Sequence, residues 1–495
     1  MDGEPRGTPA DSTAAIRPHV PLRGAPPKVA AQRVVRRVLR WYLGPVVEDV
    51  NRHNQATAAV LAEHRRELSR LRLGAEVLQR DVDLRRGDGV SAGGASERPD
   101  GPRRIAIVVV RFGEGITGGA ELHARLVGTR LAERGHDVTV LTTCAEDYVS
   151  WANVLPPGET PDGPLRVVRF PVRAERDLVR WEAAMQPILR RIWTDEDEER
   201  LLREQGPDVP ALLDHLATHA HEYDVVIFFT LLYLPTVAGI PLVSDRAIVV
   251  PTLHDEAASH LDAQARALCL ARWVMWNSPE EQALAQRLYG VDDLPGAVAG
   301  VGVEVPPDAA ARATAVRARF GLDRPYLLYA GRVDPDKGCA ELIDHFMRWS
   351  DDRADLVLAG RAWMAIPDHP RIRHLGYVES PELWALMAGA TGTVQPSRNE
   401  SLSMASLESL AAGTPIVVTA GSQVLVGHAR RSGAGLVYRD AAQFATAVTR
   451  LLDDTGLRTS LGRAGQTYIA EHFTWDRVMA LYDHAIRTIT TGSAA

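Results

Sequence analysis

The sequence predicts an α/β protein of two doubly wound domains facing a cleft, preceded by an N-terminal helical and coiled-coil extension. Three observations carry this. The chain has 495 residues, more than one core supports when a domain takes about 100–200 residues. Apolar runs of strand length alternate with helical stretches twice over, first from residue 104 and again from 325. Upstream, a three-four apolar spacing runs through 47–82, and a Gly-, Ser- and Pro-rich stretch at 85–102 separates it from the first strand.

Residues 1–28 are rich in Pro, Gly, Arg and Ala without periodicity, which predicts disorder. Over 29–44, Val34, Val35, Val38, Leu39, Tyr42 and Leu43 share a helical face, beside Arg33, Arg36, Arg37 and Arg40. A basic amphipathic helix of this kind has two readings, a peripheral foot on an anionic membrane or a helix packed on protein. From Val47 a seam runs through Val50, Asn54, Thr57, Leu61, His64, Leu68, Leu71, Ala75, Leu78 and Val82. Its spacing is that of a coiled coil and points to a homo-oligomer; a lone solvated helix is the other reading.

The first domain, 103–303, opens with the run 104–110, a turn, a helix ending near Arg134 and a second strand at 137–143. Further strands are predicted at 224–230, 247–252 and 272–277. After the last, Ser278, Pro279 and Glu281 have the pattern of a helix start with a capping box. The second domain, 304–471, has predicted strands at 325–331, 354–360, 371–378, 392–397 and 415–420, with helices between them. Both series are Rossmann-like βα alternations, which place ligands at the C-terminal ends of their strands. A last helix within 472–495 carries Trp475, Val478, Met479, Tyr482 and Ile486 on one face, which must be covered, and is expected to cross back to the first domain.

The composition is 45% hydrophobic and 24% charged, with no apolar run near the roughly 20 residues of a spanning helix. The N-terminus lacks the pattern of a secretory leader, so a cytoplasmic enzyme is expected, with peripheral contact at the inner membrane face if 29–44 is a membrane foot. A net charge of −7 argues against nucleic acid as a partner. Cys144, Cys269 and Cys339 lack the spacing of a metal site or disulfide framework. Of 56 basic residues only Lys28 and Lys337 are lysine. A lysine that persists against such a background points to a need for a compact ammonium.

Lys337 lies in YAGRVDPDKG, just past a predicted strand end and close to Arg332. Two cations at one crevice suit a diphosphate, Arg332 holding oxygens bidentately and Lys337 acting as a point charge. In RNESLSMASLESLAAGTPIV, Glu400 sits in a loop and Glu408 eight residues later, on a helix predicted to start near 401–403. The first amides of that helix suit an anion, and both carboxylates can accept hydrogen bonds from sugar hydroxyls. Gly118 and Gly119 mark a turn that allows close backbone approach, and His254 lies beside Asp255 and Glu256 without metal-ligand spacing.

These motifs together, GR with KG five residues on and E-x7-E before AAGTPIV, resemble glycosyltransferase family 4 over about 103–490. The resemblance implies a GT-B fold and a retaining hexosyl transfer from a nucleoside-diphosphate sugar, with no essential metal or cofactor. Carried over by motif, Arg332 and Lys337 would hold the diphosphate, with the amides of Leu402 and Ser403. Glu408 would hold the ribose, and Glu400 and His254 would reach the transferred sugar. Gly118 and Gly119 would let backbone approach the donor, and backbone near Val378 would meet the base. The family often has E-G-F-G where this chain has Glu400-Ser401-Leu402-Ser403, which changes the backbone freedom of that loop. The segment 143–158 resembles a bacterial subgroup of O-antigen or surface-polysaccharide assembly. A sugar-nucleotide epimerase and a non-catalytic nucleotide-sugar-binding assembly protein are the alternatives.

Overall fold

The computed structural model describes residues 101–116, 118–292 and 294–491. The expectations for the N-terminal segment, the helix at 29–44, the coiled coil at 47–82 and nearly all of the linker at 85–102 fall outside these residues.

The first sheet contains β1 (Arg104–Val108), β2 (Asp137–Thr143), β3 (Gly158–Asp162), β4 (Leu165–Phe170), β5 (Val225–Phe229), β6 (Ala247–Val250), β7 (Trp273–Trp276) and β8 (Gly296–Val298). Their order is β3-β4-β2-β1-β5-β6-β7-β8. All neighbours pair in parallel except β3 with β4. The core strands are buried end to end, as β5 shows with every residue from Val225 to Phe229 at 0% exposure. This follows from helices covering both faces of a parallel sheet.

The second sheet contains β9 (Tyr326–Ala330), β10 (Asp355–Ala359), β11 (Ile372–Gly376), β12 (Gly392–Gln395), β13 (Ile416–Thr419) and β14 (Gly435–Tyr438). Its order is β11-β10-β9-β12-β13-β14, with every pair parallel. The chain winds outward from β9 through β10 to β11, then returns to place β12 on the other flank of β9. In the first sheet β1 and β5 meet in the same way. At such switch points the two connections leave in opposite directions and open a crevice at the carboxyl ends.

The strand predicted at 137–143 matches in full, and most others are shorter than predicted by one or two residues at one or both ends. The β3–β4 hairpin, β8 and β14 were not predicted. Gly158–Asp162 carries Gly, Pro and Asp, which disfavour strands, and is held only by antiparallel pairing with β4.

The C-terminal helix Trp475–Thr491 leaves the second sheet and packs on the first. Val478, Met479, Tyr482, Ala485 and Ile486 are buried in one cluster with Ile105, Ile107, Val225 and Ile227. Where the chain passes between the sheets the two connections meet, the Val303 amide donating to the Phe473 carbonyl at 2.8 Å. No helix among the described residues is long and apolar enough to cross a membrane.

Candidate active site

Beyond β9 the chain passes Gly331 and Arg332 into a short turn, Pro335–Lys337, whose preceding Asp334 accepts the Asp336 amide at 2.8 Å. Gly338 then takes φ +75°, and a Cβ there would lie 2.5 Å from the Pro396 carbonyl oxygen. Glycine therefore lets the turn press against the end of β12. The approach brings Lys337 Nζ to 2.8 Å from Glu400 Oε1.

Burial opposes ionisation of Glu400, yet the Lys337 charge and hydrogen bonds from Lys337 and Ser397 hold its carboxyl below the usual range. It is a carboxylate at neutral pH. His254 follows β6 on the opposite wall, where burial, reinforced by the Lys337 charge, lowers its pKa to about 4. The ring is thus neutral beside a charged pair, and can donate or accept a hydrogen bond without adding a cation.

The loop 399–403 runs into the helix Met404–Ala411, which starts slightly later than predicted. Ser403 caps it with φ +66° and ψ +75°. This left-handed conformation, which costs a non-glycine residue about 1–3 kcal/mol, falls where the resembled motif often has glycine. The surroundings hold it there. Ser403 Oγ bonds Ser406 Oγ at 2.9 Å, the Leu402 carbonyl meets His428 Nε2 at 2.9 Å, and the Ser401 carbonyl accepts from Ser278 Oγ of the other domain at 2.7 Å. The amides of Leu402, Ser403 and Met404 find no acceptor among the described residues, so they are free to meet an anion.

Glu408 lies one turn further along, its side chain making no hydrogen bond or ion pair among the described residues, and burial pushes its pKa up to about 7. A group whose pKa rises on folding favours the folded state most when protonated. That contribution is complete below its ordinary pKa of 4.5 and is lost as pH climbs to about 7. Glu408→Gln, a mimic of the protonated acid, is expected to melt higher than the native chain at pH 8. The gain should be roughly 2–4 °C per kcal/mol of burial penalty removed, and should vanish near pH 4.5. Scanning calorimetry at the two pH values checks this; equal melting at pH 8 would contradict it.

Arg332 points toward the first domain. Its Nε lies 2.7 Å from Asp334 Oδ2, and its terminal nitrogen donates to the Tyr148 hydroxyl. The guanidinium carbon is 5.1 Å from the Tyr148 ring centre and 5.8 Å from that of Trp363. Gly118 precedes the helix Gly119–Glu133, and a Cβ on it would fall 2.0 Å from the buried Glu121 carboxylate, which is paired with Arg111. Gly119 faces open space. Val378 is 7% exposed and packs in an apolar cluster that Ala405, in the first turn of Met404–Ala411, also joins.

The structure therefore gathers Lys337, Glu400 and His254, and sets the free amides and Glu408 on the adjoining helix. Gly118 and Gly119 stand on the first-domain wall and make no hydrogen bond or ion pair with the others among the described residues. Sequence reasoning missed Tyr148, Trp363 and Glu281. By its spacing Glu281 reads as the closing member of a capping box, and Ser278 does cap the Glu281 amide at 3.2 Å. The Glu281 carboxylate instead accepts from the Leu253 amide at 2.7 Å, the Asn277 amide at 2.6 Å and Asn277 Nδ2 at 3.1 Å. It thereby fixes the residue next to His254. Among the described residues no three His, Cys, Asp or Glu side chains stand together as metal ligands.

Residues 324–454 match the model of the family Glycosyl transferases group 1. The glycogen synthase of Mycobacterium tuberculosis is 26% identical over 405 residues, covering 76% of this chain and 92% of that protein. D-inositol 3-phosphate glycosyltransferase 1 of Catenulispora acidiphila is 28% identical over 438 residues, covering 79% of this chain and 98% of its own. The Anabaena protein HepE, solved in complex with UDP and glucose, superposes with a TM-score of 0.55 at 17% identity, over 79% of this chain and 100% of HepE. The chain has a GT-B fold and is a glycosyltransferase enzyme.

Proposed function

We propose that the chain transfers a hexose from a nucleoside-diphosphate sugar, with retention at the anomeric carbon, to a hydroxyl of a glycan, lipid-linked or small-molecule acceptor. The observation that carries this is the 2.8 Å Lys337–Glu400 pair at the β9/β12 switch point, beside a neutral His254 and the free amides of 402–404. As the glycosidic bond stretches, negative charge grows on the departing diphosphate. Lys337, Arg332 and those amides take it up, and such fixed donors commonly supply the largest part of catalysis. Glu400 accepts from hydroxyls of the transferred sugar while Lys337 keeps it ionised. His254 offers an uncharged partner on the opposite side. Glu408 accepts from the ribose, and backbone near Val378 meets the base.

The resemblance to glycosyltransferase family 4 implies front-side attack, and no protein nucleophile is assigned. Retention then comes from attack on the face the diphosphate leaves, its oxygen taking the proton of the acceptor hydroxyl. Uracil is the first base to test, since HepE was solved with UDP and glucose. The setting we favour is cell-surface polysaccharide assembly at the cytoplasmic face of the membrane, on the resemblance of 143–158, with 29–44 as membrane foot and 47–82 as oligomer seam. The test is a panel of UDP-, GDP-, ADP- and dTDP-sugars scored by thermal shift and nucleotide release, with the product anomer assigned by NMR. One donor series is expected to dominate and to retain its configuration. An inverted product, or no response to any sugar nucleotide, would sink the proposal.

A further inference from the structure

The segment 143–158, quoted above only for its resemblance, reaches the second domain through Tyr148. We propose that Tyr148, which belongs to the first domain, is a positioning residue for Arg332, so that the leaving-group site of the second domain is completed by the first. This rests on the reading of Arg332 as a diphosphate ligand.

Its segment is built to hold one position. Asp147 Oδ1 accepts the amides of Val149 at 2.7 Å and Ser150 at 2.6 Å, and its Oδ2 accepts the Ser150 hydroxyl at 2.6 Å, which closes a tight turn around Tyr148. Two arginines clamp the flanking carbonyls, Arg111 on Glu146 at 3.0 Å and Arg176 on Tyr148 at 2.9 Å. Arg176 also lies 5.1 Å from the ring centre of Trp151, whose indole donates to the Gln205 carbonyl at 3.0 Å. Little freedom is left to the Tyr148 ring.

Two guanidinium groups lie beside that ring, Arg111 at 5.2 Å and Arg332 at 5.1 Å from its centre, and it stacks on Trp363 with centres 5.9 Å apart and planes 26° from parallel. Arg332 is therefore gripped by an aromatic face, a phenol oxygen and Asp334. A free arginine side chain carries about 2 kcal/mol of rotamer entropy. Fixing it in advance lowers the cost of binding the diphosphate. Tyr148 keeps its proton, since burial raises its pKa even though Arg332 opposes this, so the hydroxyl stays a neutral acceptor for Arg332. Through Arg111 the same ring is tied to Glu121 and the glycine turn at Gly118. Trp363 closes the stack from the second domain while remaining 52% exposed.

The test is a double-variant cycle on the full chain, with UDP as probe by calorimetry and donor kinetics alongside. Tyr148→Phe keeps the ring and removes the hydroxyl; Tyr148→Ala removes both. Tyr148→Phe is expected to weaken UDP binding about tenfold, or 1.4 kcal/mol, to raise donor KM in step, and to leave the melting temperature unchanged. Tyr148→Ala should be weaker still. In an Arg332→Ala background, Tyr148→Phe should have no further effect, since its action runs through that guanidinium. Native affinity in Tyr148→Phe, or losses that multiply in the double variant, would overturn the inference and leave the donor reading standing. A wild-type chain that binds no UDP or other nucleoside diphosphate, or an Arg332→Ala variant that binds as tightly as wild type, would overturn the diphosphate assignment and this inference with it.

Discussion

Lys337→Ala is expected to lower kcat about a hundredfold or more, near 2.7 kcal/mol of lost transition-state stabilisation. Two losses combine. The ammonium no longer meets charge growing on the diphosphate, and Glu400 loses the 2.8 Å partner that keeps it ionised. Without that partner burial dominates at Glu400, so its pKa moves up. Residual activity in the variant should therefore fall away at a higher pH than in the native enzyme as conditions become acidic. Lys337→Arg keeps the charge, but its planar fork cannot occupy the seat of a compact ammonium beside Glu400; partial recovery is expected. Steady-state nucleotide release at saturating donor, followed from pH 5 to 8, measures all three points. A kcat within threefold of wild type for Lys337→Ala would remove the pair from the mechanism.

Glu281→Ala should cost about 3–5 kcal/mol of stability, a loss large enough to need a named cause. The cause is three donors left in a dry place: the Leu253 amide, the Asn277 amide and the Asn277 side chain, all of which end on this carboxylate. Glu281 is 1% exposed, so water is poorly placed to replace it. A buried donor left without its acceptor costs about 1–3 kcal/mol. Glu281→Gln retains one acceptor oxygen while turning an NH2 toward the remaining donors, and should fall between the two. Because Leu253 precedes His254, activity should decline in both variants beyond what the unfolded fraction explains. Urea denaturation with parallel kinetics tests this, and a stability loss below 1 kcal/mol in Glu281→Ala would refute the network's role.

Much of the fold was legible because parallel strands buried on both faces leave long apolar runs, as in 104–110 and 224–230. The β3–β4 hairpin was not, because its strand character comes from pairing and not from composition. The residues proposed to meet the donor stand out as motifs: Arg332 and Lys337 by a strand end and by the rarity of lysine, Glu400 and Glu408 by their spacing before AAGTPIV. Glu281 was visible as a residue but assigned the wrong partner, since local capping is the nearest use for a glutamate three residues past a serine. Its actual partner, the Leu253 amide, comes from another loop.

The sequence by itself determined the two βα series, the strand ends where chemistry gathers and the residue types available there. Local patterning suffices for this, because burial, helix starts and turns each leave a short-range mark. Only the tertiary structure decided which strand ends are neighbours. The return of β12 to the flank of β9 makes Lys337 and Glu400 a pair, although 62 residues separate Lys337 from Asn399 next to Glu400. Tyr148 beside Arg332, across 184 residues and two domains, likewise follows from how the sheets face each other. Strand order and domain contact are set by packing over the whole chain, and no window of sequence contains that information.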